Sequence, residues 1–290
     1  MPLLPSIAHA GAVEPLLRDA ALWAPAMTEL RQRHGLPGPA VPATSGSNVV
    51  FALGPDHFVK LFFPEWSREH HAERAALTGV EGRLGVPTPA IVADGEIEGW
   101  PYLVLTRVPG RDLEEVWPTL DPAQKRDVVL SLGEAIARLG ALPPEGFPGG
   151  PWPEFVELCV TRHDARCADL GLVVPPELRA HLPRACAAPL GPIHADLTDN
   201  NVLVDEVDGR WRVTGLLDFA DARVGPRAYE MIAPGFFLTR GDPALTRALL
   251  AGSDCHADDL TVWSMLHLFN DPRRLVGRTW AEVRGNHWPG

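Results

Sequence analysis

The residues best able to do chemistry in this chain surround a predicted β-hairpin in its second half. Asn201 immediately precedes the first strand of the hairpin, and Asp218 immediately follows the second strand. Antiparallel pairing brings these two positions side by side at the open end of the hairpin. Each side chain supplies a hard oxygen ligand, which Mg²⁺ uses when phosphate and water complete its shell. Asp196 lies just ahead of Asn201 and adds a carboxylate that could accept a hydroxyl proton.

The spacing of this polar string is typical of a kinase catalytic loop. His194, Asp196 and Asn201 fit the pattern His-x-Asp-x-x-x-x-Asn, and Asp218-Phe219 stands where the metal-binding Asp-Phe-Gly would lie. A loop with several Asx turns would explain the same polar residues without any function. The hairpin favours the functional interpretation, because it brings Asp218 to the correct side of the loop.

A lysine in the first part of the chain gives an independent test, because a kinase pairs a strand lysine with a helix glutamate. Lys60 lies inside a predicted apolar strand, 57–63, and is one of two lysines among 26 basic residues. Glu73 follows on a predicted helix, 67–79, with Glu69 on the same face as the fallback partner. In a chain this rich in arginine, an ordinary surface charge would be arginine. We therefore interpret Lys60 as functional.

Composition excludes several other classes of protein. The 290 residues include 26 basic and 37 acidic side chains, for a net charge of −11. This balance disfavours a nucleic-acid partner and favours cationic or metal-chelated ligands. The sequence contains no P-loop, no Gly-x-Ser-x-Gly elbow and no His-Glu-x-x-His zinc helix. No apolar run approaches the roughly 18 residues of a membrane span. Four cysteines in a chain of this length indicate reduced thiols and a cytoplasmic location.

The pattern of predicted elements changes near residue 107. The first part is rich in strands, and the part after it is rich in helices and carries the hairpin. We therefore predict an α+β fold, with a nucleotide-binding lobe over 1–107 and a larger catalytic and substrate-binding lobe over 108–290. The predicted helices cover 11–35, 67–79, 121–140, 153–170 and 175–187, and the predicted strands cover 49–53, 57–63, 90–93, 102–105, 202–204 and 211–217.

Taken together, these residues resemble the aminoglycoside phosphotransferases, which are small-molecule kinases with the bilobal protein-kinase fold. The resemblance spans about 40–270 and is carried by 48–61, 194–204 and 215–230. Segments such as Leu217-Asp218-Phe219-Ala220-Asp221 look most like the hygromycin B phosphotransferases. The resemblance implies transfer of the γ-phosphoryl group of ATP, with GTP also possible, to a hydroxyl of a small molecule in the presence of Mg²⁺.

The resemblance also implies a role for each residue of the catalytic string. Asp196 would orient the acceptor hydroxyl and take its proton. Asn201 and Asp218 would hold Mg²⁺ on the phosphates, and His194 would brace the loop.

On the nucleotide side, the resemblance implies that Lys60 contacts the α- and β-phosphates and that Glu73 orients Lys60. The loop before the first strand pair departs from the protein-kinase glycine pattern, but its amides and the Ser47 hydroxyl could still cover phosphates. Adenine would bind backbone groups near Thr106 and Val108.

The acceptor is the least determined part of the prediction. A cationic acceptor such as hygromycin B needs carboxylates around its ammonium groups, and the candidates are Asp199, Asp221, Glu230 and Asp271. Simple solvation would account for most acidic residues equally well. The alternatives are a kinase of a peptide, macrolide or nucleoside antibiotic, a metabolic kinase of an amino alcohol or sugar, and a nucleotide-binding pseudokinase. The intact catalytic residues argue against the pseudokinase. We expect a monomer or weak dimer, with no nucleic-acid or membrane partner.

Overall fold

The computed structural model describes residues 2–7, 9–44, 46–267 and 279–288. Its first part is an antiparallel sheet of five strands, in the spatial order β1-β2-β3-β5-β4. β3 occupies the middle of the sheet, and its Lys60 pairs with Val50 on one side and Leu103 on the other. The strands are β1 (Ala40–Pro42), β2 (Val49–Leu53), β3 (His57–Leu61), β4 (Ile91–Ile97) and β5 (Trp100–Thr106).

One face of this sheet is covered by helix α1 (Ala20–His34), which buries Trp23, Met27 and Leu30 against it. The predicted helix over 11–35 is wrong in its first part, where two 3₁₀ turns stand instead. The reason is local, because the Asp19 side chain accepts hydrogen bonds from the first amides of α1 and caps the helix there.

Helix α2 (Ser67–Val80) lies on the opposite side of the sheet. The two-residue period of β3 explains which side chains meet it. Val59 and Leu61 belong to the core cluster shared with α1, whereas Phe62 belongs to the cluster that contains α2 residues and continues into the helical part. Lys60 is two residues before Phe62, so its side chain points to the same face of the sheet, toward α2.

The second part of the chain is mainly helical, with three small strand pairings. Its hairpin is confirmed, and the turn residues Asp208 and Gly209 both have positive φ. β6 pairs with β8, and β7 pairs with β10. The strands are β6 (Arg111–Asp112), β7 (Leu190–Ile193), β8 (Val202–Val207), β9 (Arg210–Leu216) and β10 (Arg223–Pro226).

The helices of this part pack around one apolar core. Asp121 caps α4 in a reciprocal capping box with Gln124. Among the described helices, none combines the length and the apolar character needed to cross a membrane. The helices are α3 (Leu113–Val116), α4 (Pro122–Gly140), α5 (Trp152–Asp169), α6 (Pro176–Cys186), α7 (Arg227–Glu230), α8 (Ile232–Pro234), α9 (Pro243–Leu249), α10 (Ala257–Leu266) and a final helix, Trp280–His287.

Candidate active site

A buried ion cluster joins the sheet, α2 and the hairpin. Lys60 Nζ lies 2.7 Å from Glu73 Oε2 and 2.7 Å from Asp218 Oδ1. Lys60 and Glu73 are 4% and 1% exposed. The predicted pair is therefore present, and Glu73 rather than Glu69 is the helix partner of the lysine. One ammonium group brings together residues that are up to 158 positions apart in the chain.

The charges in this cluster depend on one another. Burial alone would lower the pKa of Lys60, but the carboxylates of Asp218 and Glu73 raise it above its ordinary value. Burial alone would raise the pKa of Asp218, but the Lys60 ammonium holds it below the ordinary range. Burial raises the pKa of Glu73 to about 7 against the opposing charge of Lys60. The cluster therefore keeps Lys60 cationic and Asp218 anionic.

The catalytic string forms a tight loop next to this cluster. Asn201 Nδ2 donates to the main-chain oxygen of Asp196 at 2.8 Å and to its carboxylate Oδ2 at 2.9 Å. Burial raises the pKa of Asp196 to about 7, and the nearby carboxylates of Asp221 and Asp218 act in the same direction. A carboxylate with a raised pKa is a better proton acceptor than an ordinary aspartate.

His194 fastens the catalytic loop to the strand that leads to Asp218. Its Nε2 lies 2.8 Å from the Leu217 carbonyl oxygen, and its ring centroid lies 4.4 Å from that of Phe219. Burial lowers the pKa of His194 to about 4, so the ring is neutral and Nε2 donates to the carbonyl. These contacts are those of a residue that braces the loop.

Glu230 does not occupy the predicted position at the acceptor. It is 2% exposed, and its Oε2 accepts a hydrogen bond of 3.0 Å from the Ala195 amide, behind the catalytic loop. Burial raises its pKa to about 7, while the amides of Ala195 and His194 oppose that rise. Glu230 thus supports the catalytic loop, a placement that a short sequence motif does not reveal because it does not tell which way a residue of the one-turn helix α7 faces.

A cavity of about 390 Å³ lies beside the ion cluster, between the sheet and the hairpin. Aliphatic side chains contribute to its lining, among them Val50, Leu105 and Leu203. Both predicted hinge residues, Thr106 and Val108, also line it. The amides of Thr106 and Arg107 donate to main-chain oxygens of the protein. In the described part of the chain the Val108 amide makes no such bond, which leaves it free for a ligand. Ser47 is exposed in the neighbouring loop and does not line this cavity.

A second and larger cavity, of about 1140 Å³, lies on the other side of the catalytic loop, between α2 and α5. Ala195 and Asp221 line it, so it opens next to Asp196. Asp199 lines neither this cavity nor the smaller one. The remaining acceptor candidate, Asp271, lies outside the described residues.

The donor set at the end of the hairpin fits a magnesium ion. Asp218 uses Oδ1 for Lys60 and for the Ala220 amide. Asn201 turns its nitrogen toward Asp196. Across the residues that the structure describes, the other Asp218 oxygen and the Asn201 amide oxygen have no protein partner. Two hard oxygens suit Mg²⁺, which takes its other ligands from phosphate and water.

Sequence reasoning missed two contacts around the site. Asn48 Nδ2 lies 3.4 Å from Glu69 Oε2 and links the loop before β2 to α2. The guanidinium carbon of Arg223 lies 3.9 Å from the ring centroid of Phe155. In the sequence, the one signal for the second contact is that Arg223 stands five residues after Asp218. The acidic composition of the chain favours carboxylates as site residues and does not indicate an arginine.

Comparisons with known proteins agree with this geometry. The fold resembles that of APH(2″)-IIia in its GDP and kanamycin complex, with a TM-score of 0.69 and 19% identity over 83% of this chain and 88% of that one. It also resembles that of aminoglycoside phosphotransferase APH(3″)-Id from Streptomyces rimosus with ADP and streptomycin. There the TM-score is 0.64 and the identity 19%, over 84% of this chain and 96% of that one. At these identities the likeness shows a shared fold, which is the bilobal kinase-like α+β fold that the sequence predicts.

The family is established by sequence. Residues 40–264 match the model of the phosphotransferase enzyme family APH, and this chain belongs to that family. The viomycin phosphotransferase of Streptomyces vinaceus is 30% identical to this chain in an alignment of 188 residues that covers 61% of this chain. The match spans 64% of the length of that relative.

Proposed function

We propose that this protein transfers the γ-phosphoryl group of ATP, or of GTP, to a hydroxyl of a small-molecule antibiotic. The observation that carries the proposal is the buried Lys60–Glu73–Asp218 cluster beside the loop in which Asn201 holds Asp196. This arrangement supplies a fixed cation for phosphates, two oxygens for a metal and a carboxylate for a hydroxyl. The nucleotide complexes of the structural neighbours, with GDP and with ADP, support both nucleotides.

The protein groups act by positioning and by charge. The adenine lies in the 390 Å³ cavity and accepts a hydrogen bond from the Val108 amide. Lys60 binds the α- and β-phosphates, and Glu73 holds Lys60 in place. Asn201 and Asp218 would hold Mg²⁺, which when bound offsets charge on the phosphates. Asp196 orients the acceptor hydroxyl and takes its proton as the oxygen bonds to the γ-phosphorus, while the bond from that phosphorus to the β–γ bridging oxygen breaks and the nucleoside diphosphate leaves.

The acceptor is bound in the 1140 Å³ cavity. Hygromycin B or another aminoglycoside is the acceptor that the sequence favours, and the viomycin phosphotransferase relative adds viomycin to the candidates. The metabolic alternatives, an amino alcohol or a sugar, use the same catalytic residues. The pseudokinase alternative is disfavoured, because Lys60, Asp196, Asn201 and Asp218 are all present, with Lys60 in contact with Asp218 and Asn201 in contact with Asp196.

Three further proposals rest on weaker support. We place the division between the two lobes at 107/108, between the end of β5 and the start of the helical part. The four cysteines are free thiols, which supports a cytoplasmic location. A monomer or weak dimer remains the expected state of assembly.

Mass spectrometry of phosphorylated products tests the proposal directly. Purified protein, Mg²⁺ and ATP are incubated with hygromycin B, kanamycin, streptomycin and viomycin, with amino alcohols and nucleosides as further acceptors. The expected result is one acceptor that gains a phosphate, with no product from the Asp196→Asn variant. A variant that transfers phosphate at a rate close to that of the wild type would refute the role of Asp196. Nucleotide binding without any product would support the pseudokinase.

A further inference from the structure

The lining of the acceptor cavity is not predominantly acidic, although the sequence favours a cationic acceptor. Its lining carries four carboxylates and three guanidinium groups, which nearly balance. A site for a polycation gains affinity from carboxylates and loses it to each arginine nearby. The charged residues of the lining are Glu65, Glu69, Glu154, Asp221, Arg68, Arg162 and Arg223.

Arg223 differs from the other two arginines because its guanidinium is held in place. One face lies on the Phe155 ring, with the guanidinium carbon 3.9 Å from the ring centroid. Its Nε donates to the main-chain oxygen of Asp221 at 3.3 Å. Gly149 packs against the Cβ of Arg223, so closely that a Cβ added at Gly149 would lie 2.8 Å from that atom. Arg68 and Arg162 are exposed.

The two terminal nitrogens of Arg223 have no hydrogen bond or ion pair with any residue that the structure describes. A guanidinium fixed by one face and by Nε presents these nitrogens as a rigid fork, which matches a planar oxygen acceptor. A carboxylate bound to Arg223 would lie close to the carboxylate of Asp221, which already interacts with the Arg223 charge, so a neutral carbonyl oxygen fits the surroundings better.

We infer that the acceptor carries amide or urea carbonyl groups beside its ammonium groups, and that Arg223 binds one of these carbonyl oxygens. Asp221 and Glu69 face the ammonium groups. This inference rests on the proposed function, since it names the substrate class of the same cavity. An aminoglycoside without carbonyl groups would offer Arg223 only hydroxyl and ether oxygens, which are weaker acceptors than an amide carbonyl, and would bring its ammonium groups close to a like charge.

The test compares two probes, viomycin, whose ring contains amide and urea groups, and kanamycin, which has only amines and hydroxyls. Calorimetry measures their affinities for the wild type and for Arg223→Gln, each with the nonhydrolysable ATP analogue bound. We expect the variant to bind viomycin about 10-fold more weakly, the effect of losing a charge-assisted hydrogen bond. Kanamycin should bind the variant as well as, or better than, the wild type.

Arg162→Gln is the matched control, because it removes the same charge from the exposed rim of the same cavity. We expect it to change either affinity less than threefold. Arg223→Lys separates charge from geometry, and it should recover little of the viomycin affinity because an ammonium group has no fork. If Arg223→Gln does not fold, Phe155→Leu removes the stacking surface instead and should weaken viomycin alone, by about 3-fold.

The inference is overturned if neither probe binds the wild type, if both affinities fall together, or if Arg223→Lys binds viomycin like the wild type. Analysis of the phosphorylated products distinguishes a failure of this inference from a failure of the proposed function. Phosphorylation of kanamycin in preference to viomycin would overturn the inference and leave the phosphotransferase standing. Viomycin binding that depends on Arg223, without transfer to any acceptor, would support the inference and overturn the proposed function.

Discussion

The two cavities beside Asp196 differ in size, in chemistry and in how closely their charges are fixed. The smaller one ends at the ion cluster, where Lys60 touches both carboxylates at 2.7 Å and is almost fully buried. The larger one has about three times the volume, and most of its charged groups are exposed. A nucleotide is the same in every reaction of this kind, whereas acceptors vary. Under the proposed function, the cavity with the more buried charges is the one that binds the nucleotide, which is the same in every reaction.

The largest effect is expected from Asp196, where the two cavities meet. Asp196→Asn keeps the shape and the hydrogen-bonding capacity toward Asn201 but removes the proton acceptor. We expect the rate of phosphate transfer to fall by about 10³-fold, within the range for loss of a general base. Nucleotide affinity, measured by calorimetry, should change less than threefold. A variant that loses nucleotide binding as well as transfer would mean that Asp196 supports the small cavity rather than the reaction.

Lys60 tests whether the small cavity depends on the shape of its cation as well as on its charge. Lys60→Met leaves Glu73 and Asp218 without a counter-charge, and breaking a buried pair in this way destabilises proteins by about 3 kcal/mol. Lys60→Arg retains the charge, but a planar guanidinium does not fit between two carboxylates and a phosphate. We expect both variants to lose kcat/KM for ATP by about 100-fold.

Stability against urea separates the two Lys60 variants, because Lys60→Arg should unfold much closer to the wild type than Lys60→Met. Equal stability losses would show that the position tolerates no other cation at all. Equal activity in Lys60→Arg and wild type would show that charge alone is sufficient.

The residues of the small cavity could be predicted from the sequence because each one lies within a regular element or directly beside one. Asn201 and Asp218 flank one hairpin, and Lys60 lies in an apolar strand of period two, so simple geometry brings them together. The acceptor side offers no such rule. Its walls come from α2, α5 and the segment after Asp218, whose packing depends on the whole core.

The positions of individual residues around the acceptor cavity show the same limit of sequence reasoning. Glu230 follows the catalytic hairpin closely in sequence, but α7 turns its carboxylate behind the loop. Asp199 is near Asp196 in sequence and still lines neither cavity. Arg223 was not predicted, because the net charge of the chain does not indicate which arginine the fold packs against an aromatic ring. Proximity in sequence predicted the reacting groups, but not the groups around them.

The contact between Glu230 and the catalytic loop can be tested through the pH dependence of folding stability. Its folded pKa of about 7 lies above the ordinary glutamate value of 4.5. Protonated Glu230 therefore favours folding at low pH, and that stability is lost as pH rises from about 4.5 through about 7. Glu230→Gln stays neutral and can still accept the Ala195 amide. We expect its stability relative to wild type to improve across this window by an amount on the order of 3 kcal/mol.

Urea unfolding at several pH values measures this difference. Glu230→Ala is the control, because it removes the acceptor of the Ala195 amide altogether and should be less stable than Glu230→Gln at every pH. A stability difference between wild type and Glu230→Gln that stays constant from pH 4.5 to pH 8 would mean that Glu230 does not titrate as its burial requires.

The smallest effect is expected within the large cavity, where single exposed or half-exposed charges are screened by water. Asp221 lines the cavity, whereas Asp199 is a half-exposed carboxylate of the same loop region that lines neither cavity. For a cationic acceptor, we expect Asp221→Asn to raise KM by about 5-fold through loss of one ion pair. Asp199→Asn should change KM less than twofold, and KM for ATP should stay the same in both variants. Equal effects of the two substitutions would show that the cavity responds to net charge only. The two cavities would then differ in volume but not in how specifically their charged residues recognise a ligand.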